Sequence, residues 1–205
     1  MSMESLLERF AQASEGFAGV LAAVRLEQWV WPTPCSEWTV RDVVNHMARG
    51  NLNYVRLLEG ADRAAFLRWR DADALGADPV GGYARSVREC AAAFARPDAA
   101  ERVLDYPLGA VTGRQALAVR TADSIVHTWD LACAVGADRR LDPDLVGWLD
   151  DHLTEIYAGL AETPLDPDSS HRFFAVPGSA PAGASRQDRL LRLLGRDPSH
   201  LTNRS

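Results

Sequence analysis

No lysine occurs among the 205 residues, and all 22 basic side chains are arginine. Codon bias in a GC-rich genome explains that more simply than any binding role. The net charge of −6 leaves no basic footprint for nucleic acid. There are only three cysteines, Cys35, Cys90 and Cys133, widely spaced and with no CxxC pair. That argues against a disulfide framework and a thiolate zinc site, and suits a reducing compartment. No apolar run is long enough to span a bilayer. The N-terminus, MSMESLLERF, carries Glu4 and Glu8 and no apolar signal core. A cytoplasmic protein with no membrane partner is expected. Internal repeats and low-complexity tracts are absent as well.

What is present is ordinary for a soluble globular chain, with 47% hydrophobic and 24% charged residues. The length suffices for one domain with a substantial core, or one domain plus a small appendage. Leu6, Leu7, Phe10, Phe17, Val20, Leu21 and Val24 recur at helical spacing, predicting a first helix over 3–27. Pro32 and Pro34 break the chain after it. Thr39 and Asp42 resemble a capping box and open a second helix over 39–58, which carries His46 and Asn53. Residues 60–78 are charged and less regular, with Phe66, Leu67 and Trp69 able to dock on a core. A third helix is expected over 79–95, and VLDYPLGAVTG reads as a loop with a short extended piece. Thr112 caps a fourth helix over 113–135, ended by Gly136. Pro143, near the first turn, suits a fifth over 143–162.

Beyond it, a loop-rich stretch contains FFAV, read as a strand or docking segment, and SRQDRLLRLLGRDP reads as a short terminal helix. Long amphipathic helices and few strand signals imply an all-α helical bundle. We divide it as a bundle over 1–165 and a short C-terminal extension over 166–205 packed upon it.

The stretch TADSIVHTWDLACAV carries the chemistry. Successive helical residues turn by about 100°, so Asp123 and His127 project from one face, with Asp130 a further turn along. Burying such groups unpaired costs several kcal/mol. Two readings answer that cost. In one, a divalent metal is held between helices, with His46 as the natural third ligand. Imidazole and carboxylate suit zinc, nickel, iron or manganese, and three protein ligands leave a position open, as catalytic sites do. In the other, Asp123 pairs with Arg120 or Arg41, and His127 is a satisfied core histidine. An i, i+4 Asp/His pair is a weak motif beside HExxH.

The combination WTVRDVVNHMARGN, RTADSIVHTWDLACAVG and the QDRLLRLLGRDP end resembles the DinB-like metalloprotein superfamily. More narrowly, it is similar to the metal-binding domain of mycothiol-dependent maleylpyruvate isomerase, through its VxxH and VHxxDLA helices. The resemblance implies a four-helix bundle holding a divalent metal, usually zinc. Carried over by position, the ligands are His46, Asp123 and His127. It further implies a metal that activates mycothiol, or another low-molecular-weight thiol, for S-transfer or cis–trans isomerisation of a small electrophile. Asp123 stands where the isomerase has glutamate, one methylene longer. About forty residues follow the fifth helix, where the isomerase has a larger C-terminal domain, so its activity does not transfer directly. A non-catalytic metal- or small-ligand-binding module is the alternative, and bundles of this kind also pair as homodimers.

Around the three ligands, Asp130 could orient His127 through its other ring nitrogen or be an exposed charge. Asn53, on the His46 face, could line the pocket or be a surface polar residue. Arg120 could bind a substrate carboxylate or neutralise Asp123. Trp129 lies beside the site in sequence and could stack on a ligand. Trp29, Trp31, Trp38, Trp129 and Trp148 are otherwise expected to close the core. His152 reads as a solvated helix residue and His171 as a loop residue. The three cysteines have no partner histidine nearby in sequence, which makes thiol nucleophilic catalysis a poor expectation.

Overall fold

The computed structural model describes residues 2–35, 37–160 and 178–199. FFAV and His171 lie outside these. Among the described residues, seven α-helices and one small hairpin form in the order α1 (Met3–Ala22), α2 (Val40–Leu58), α3 (Arg63–Arg68), α4 (Pro79–Phe94), β1 (Val103–Tyr106), β2 (Gly109–Thr112), α5 (Gly113–Val135), α6 (Pro143–Ile156) and α7 (Arg186–Leu193). A 3-10 turn at Leu26–Val30 joins α1 to α2. Helix α1 packs on α5 and α4, and α2 packs on the same two. The result is a four-helix bundle in the spatial order α1, α5, α2, α4, an all-α fold.

Local chemistry sets the helix starts. The Thr39 hydroxyl accepts from the Asp42 N–H at 3.3 Å, and Asp42 accepts from the Thr39 N–H at 2.9 Å, a reciprocal box in which aspartate serves for glutamate. Thr112 accepts from the Gln115 N–H and starts α5, and Gly136, at φ 74°, ends it in the left-handed conformation.

Two expected helices are shorter, and tertiary hydrogen bonds explain both. The first stops at Ala22 because Gln28 accepts from the Arg25 N–H and donates to the Val135 carbonyl at the end of α5, drawing the chain into the 3-10 turn. The fifth stops at Ile156 because Gln115 donates to the Ile156 and Ala158 carbonyls and Gly159 turns left-handed. Residues within 60–78 form α3, started by Asp62 accepting from the Ala65 N–H. The VLDYPLGAVTG stretch is a paired hairpin with Val103 opposite Thr112 and Tyr106 opposite Gly109. Tyr106 stacks on Tyr54 of α2 at 5.7 Å between centroids and meets Phe66 of α3 edge-on.

Leu6, Phe10, Leu57, Phe94, Leu117 and Val126 sit in the larger core cluster, and Phe17, Val43, Val44, Met47 and Leu131 in a second. Helix α7 docks on α6, where its Arg186 pairs with Asp150 and Asp151, and its Leu190 and Leu191 are buried. Among the described residues, no helix is long and apolar enough to cross a membrane.

Candidate metal centre

Helix α5 is buried on most of its circumference, so its polar residues must be answered from within. Asp123 presents one carboxylate oxygen to each of two imidazoles. His46 Nε2, on α2, lies 3.1 Å from Oδ2, and His127 Nε2 lies 3.2 Å from Oδ1. With Asp123 ionised, both Nε2 atoms carry hydrogen and donate to it. The two rings meet edge-on with centroids 4.9 Å apart. His46 is the more open of the two, its side chain 27% exposed against 6% for His127.

Arg120 completes the upper side. Its Nη1 sits 3.0 Å from Asp123 Oδ2, and its other terminal nitrogen lies against the Met47 sulfur. The guanidinium fits only because residue 50 on α2 is glycine, where a Cβ would stand 2.1 Å from Nη1. Arg41 pairs instead with Asp73, so it plays no part in neutralising Asp123.

A second carboxylate supports His127 from behind. His127 Nδ1 donates to Asp130 Oδ2 at 2.9 Å, and that fully buried carboxylate also receives Arg196 Nη2 at 2.8 Å and Nε at 3.3 Å. The Cys35 thiol donates to the same oxygen at 3.2 Å and stands 3.8 Å from His127 Nδ1.

Electrostatics follow from this wiring. Burial would raise the Asp123 carboxyl, but Arg120, then His127 and His46, hold it well below the usual carboxylate range. Burial pulls His46 down to about 4 against the raising effect of Asp123. His127 is likewise opposed by burial, yet Asp123 and Asp130 at its two nitrogens hold it well above its ordinary value. For Asp130, burial is overcome by Arg196 and His127, and the carboxyl lies far below its ordinary value. Metal-free, the site therefore carries one imidazolium and one neutral imidazole.

Among the other sequence candidates, Asn53 is buried, and its carbonyl oxygen accepts from Arg56 at 3.0 Å. Trp129 is 2% exposed and belongs to the core, because two residues along a helix turn it about 200° from His127. The indole that does face the histidines is Trp38, tilted against His46 at 4.8 Å and stacked on His127 at 6.1 Å between centroids. Trp38, expected to close the core, is half-buried and packs against the second core cluster as well. Its place just before the α2 cap, two turns from His46, was the available signal. Trp31 is 37% exposed beneath Arg25 rather than buried. His152 lies along α6, its Nδ1 near the Trp148 carbonyl.

Cys35 and Arg196 are the residues that sequence reasoning missed. Each is distant from His127 in the chain, and neither sits in a periodic pattern. Burial pushes the thiols of Cys90 and Cys133 up to about 12, which keeps both protonated and poorly nucleophilic.

The donor atoms of His46, Asp123 and His127 all lie within 4.8 Å of one another, as do those of Cys35, His127 and Asp130. Ligands about 2.1 Å from a tetrahedral zinc are roughly 3.4 Å apart; the two imidazole nitrogens lie 3.1 and 3.2 Å from different oxygens of Asp123, which brings the three side chains close enough to share a divalent ion. Each set has a guanidinium on its carboxylate, but in the second Arg196 meets the Cys35 sulfur as well as Asp130, so two of its three donors face a cation, against one of three in the first.

Two proteins of Mycobacterium tuberculosis are similar to this chain. Uncharacterized protein MT0763, from strain CDC 1551 / Oshkosh, and uncharacterized protein Rv0738, from strain ATCC 25618 / H37Rv, are each 35% identical over 144 residues, covering 65% of this chain and 69% of theirs. No solved structure matches it at a comparable level. The family model of the mycothiol maleylpyruvate isomerase N-terminal domain matches residues 10–132, a span that contains His46, Asp123, His127 and Asp130, and the chain belongs to that family.

Proposed function

We propose that this protein is a metal-dependent enzyme of the mycothiol-dependent maleylpyruvate isomerase type. It would activate a low-molecular-weight thiol, mycothiol by family, for S-transfer to a small electrophile or for thiol-assisted isomerisation of one. The observation that carries the reading is the convergence of His46 Nε2, the Asp123 carboxylate and His127 Nε2, with His127 Nδ1 on a buried carboxylate. Metal-bound histidines commonly need such a partner on the second nitrogen.

In this reading His46, Asp123 and His127 hold the ion, zinc by preference, with nickel, iron or manganese admissible for the same donor set. A bound divalent cation supplies charge that stabilises a thiolate near neutral pH. The protein leaves that charge available. Asp123 and Asp130 are balanced by Arg120 and Arg196, so the buried side chains around the ligands sum to zero. Asp130 fixes the His127 ring and leaves its Nε2 as the ligand atom. Arg120 keeps Asp123 ionised. Trp38 walls the exposed side of His46 and gives the thiol and electrophile an apolar face to dock on.

The experiment is direct. Protein purified without an affinity tag should contain about one equivalent of zinc or nickel, and His127→Ala should lose it. Loaded protein should then consume electrophiles only in the presence of a low-molecular-weight thiol. Equal metal content in wild type and variant would remove the model. A non-catalytic binding module is the second reading, favoured by the fact that both carboxylates already have guanidinium partners. Metal bound without any thiol-dependent turnover would select it.

A further inference from the structure

Arg196 reaches the site from the far end of the chain, beyond the family-matched residues 10–132. Its position is built rather than incidental. After α7, Gly195 adopts φ 73°, its N–H bonds to the Arg192 carbonyl, and the Arg196 N–H bonds to the Leu191 carbonyl at 2.8 Å. This is the two-bond Schellman closure, which needs a left-handed residue and turns the next side chain sharply off the helix axis. Buried Leu190, Leu191 and Leu194 anchor the turn in the core. Arg196 is thus thrown inward, with its side chain 8% exposed.

There it grips Asp130 with two donors, Nη2 to Oδ2 and Nε to Oδ1. Two contacts to two oxygens fix the plane of a carboxylate, which one contact cannot do. Oδ2, the oxygen so fixed, is the one that receives His127 Nδ1. The chain of contacts runs from the terminal turn through Arg196 and Asp130 to the imidazole.

We propose that Arg196 is a positioning residue for the metal centre: the segment after α7 sets the orientation of His127 through Asp130, so that metal affinity depends on how this terminal segment is docked. The inference rests on the metal reading for its affinity readout only; the orientation of His127 is measurable without metal.

The test uses the full chain in four forms: wild type, Arg196→Met, Asp130→Asn and the double variant. Zinc affinity is measured by competition with a chromophoric chelator. In chelator-treated protein, the His127 Nδ1–H resonance is followed by nitrogen-15 NMR. Losing a partner that orients a metal-bound histidine costs roughly 10- to 100-fold in affinity. Arg196→Met should therefore bind zinc about 10-fold more weakly, its His127 Nδ1–H signal should shift or exchange-broaden, and Arg196→Lys should restore part of both. The double variant should be no weaker than Asp130→Asn alone. Gly195→Ala provides a second route, since it keeps the guanidinium and strains only the turn that aims it. Zinc affinity and His127 resonance unchanged in both Arg196→Met and Gly195→Ala would overturn the proposal, whatever happened to the melting temperature. Should Arg196→Met fail to fold, Gly195→Ala decides alone. If wild type binds no zinc, the functional reading fails, and an unchanged resonance then also overturns the positioning role.

Discussion

Replacing Arg120 by methionine separates the two kinds of work its guanidinium could do. The side chain is 2% exposed and that of its partner Asp123 13%, so solvent screens the pair little. Removing one member of a buried pair costs about 3 kcal/mol or more when the other is left uncompensated; with the His127 imidazolium still on Asp123, about 3 kcal/mol is the upper end of the expected loss. Methionine is unbranched and of similar reach, so packing against Met47 and Gly50 is largely kept. For a domain of this size, about 3 kcal/mol corresponds to a melting temperature lower by on the order of 6–12 °C. That is the expectation in chelator, where His46 and His127 remain on the Asp123 carboxylate. With zinc present the ion stands as counter-charge to the same carboxylate, and the loss should shrink to roughly half. Thermal melts of wild type and Arg120→Met, each in chelator and in zinc, therefore form a cycle. Zinc should raise the melting temperature of the variant more than that of wild type. Equal drops with and without zinc would refute the reasoning, since the guanidinium would then act through shape alone.

Metal-free stability should peak near pH 6.5 in a chelator series of melts. His46 is held at about 4 in the folded protein, so the unfolded chain binds more protons between pH 6.5 and 4, and stability falls across that window. The contributions of the depressed Asp123 and Asp130 are complete above their unfolded values and are lost as pH falls further; that of the raised His127 is complete below its unfolded value and fades as pH climbs through its folded one. His46→Gln should flatten the limb between pH 6.5 and 4, and an unaltered limb would dismiss His46 as its source. Gly50→Ala should destabilise by roughly 1 kcal/mol despite alanine's helix preference, because its Cβ displaces Arg120; Gly16→Ala, with open space around its Cβ, is the stabilised control. Trp38→Phe should abolish the zinc-induced change in tryptophan emission while zinc still binds, since the Trp38 indole lies 4.8 Å from the His46 ring; an intact response would implicate one of the other tryptophans.

Periodicity and capping chemistry made the bundle legible. The α2 start at Thr39, the whole span of α5 and the proline start of α6 follow from side chains within a turn of each boundary. Where the sequence misled, the deciding group was remote. Gln28 stops the helical run after α1 by bonding a carbonyl 107 residues away, and Gln115 stops α6 from 41 residues away. Charged α3 carried its signal in Asp62 alone, and the Val103–Thr112 pairing depends on aromatic contacts with α2 and α3. The candidate site divides in the same manner. Asp123, His127 and Asp130 share one helix face, so their grouping could be read from spacing. The approach of His46 to Asp123 rested on resemblance to a family. Cys35 and Trp38 arrive on the segment before α2 and Arg196 on the one after α7, where no period predicts direction.

The shorter carboxylate at position 123 illustrates what the fold adds. An aspartate reaches less far than a glutamate would, yet its two oxygens span both imidazoles at nearly equal distance. What permits this is the close approach of α2 to α5, and Gly50 makes room for Arg120 at that crossing. The atoms that share hydrogens in the metal-free protein are also those offered to an ion. Because His127 is an imidazolium, occupying its Nε2 must expel a proton, whereas neutral His46 need only move its hydrogen to the other nitrogen. On the proposed metal reading, binding and deprotonation would be one event at His127, with Asp130 and Arg196 already in place to hold the ring still.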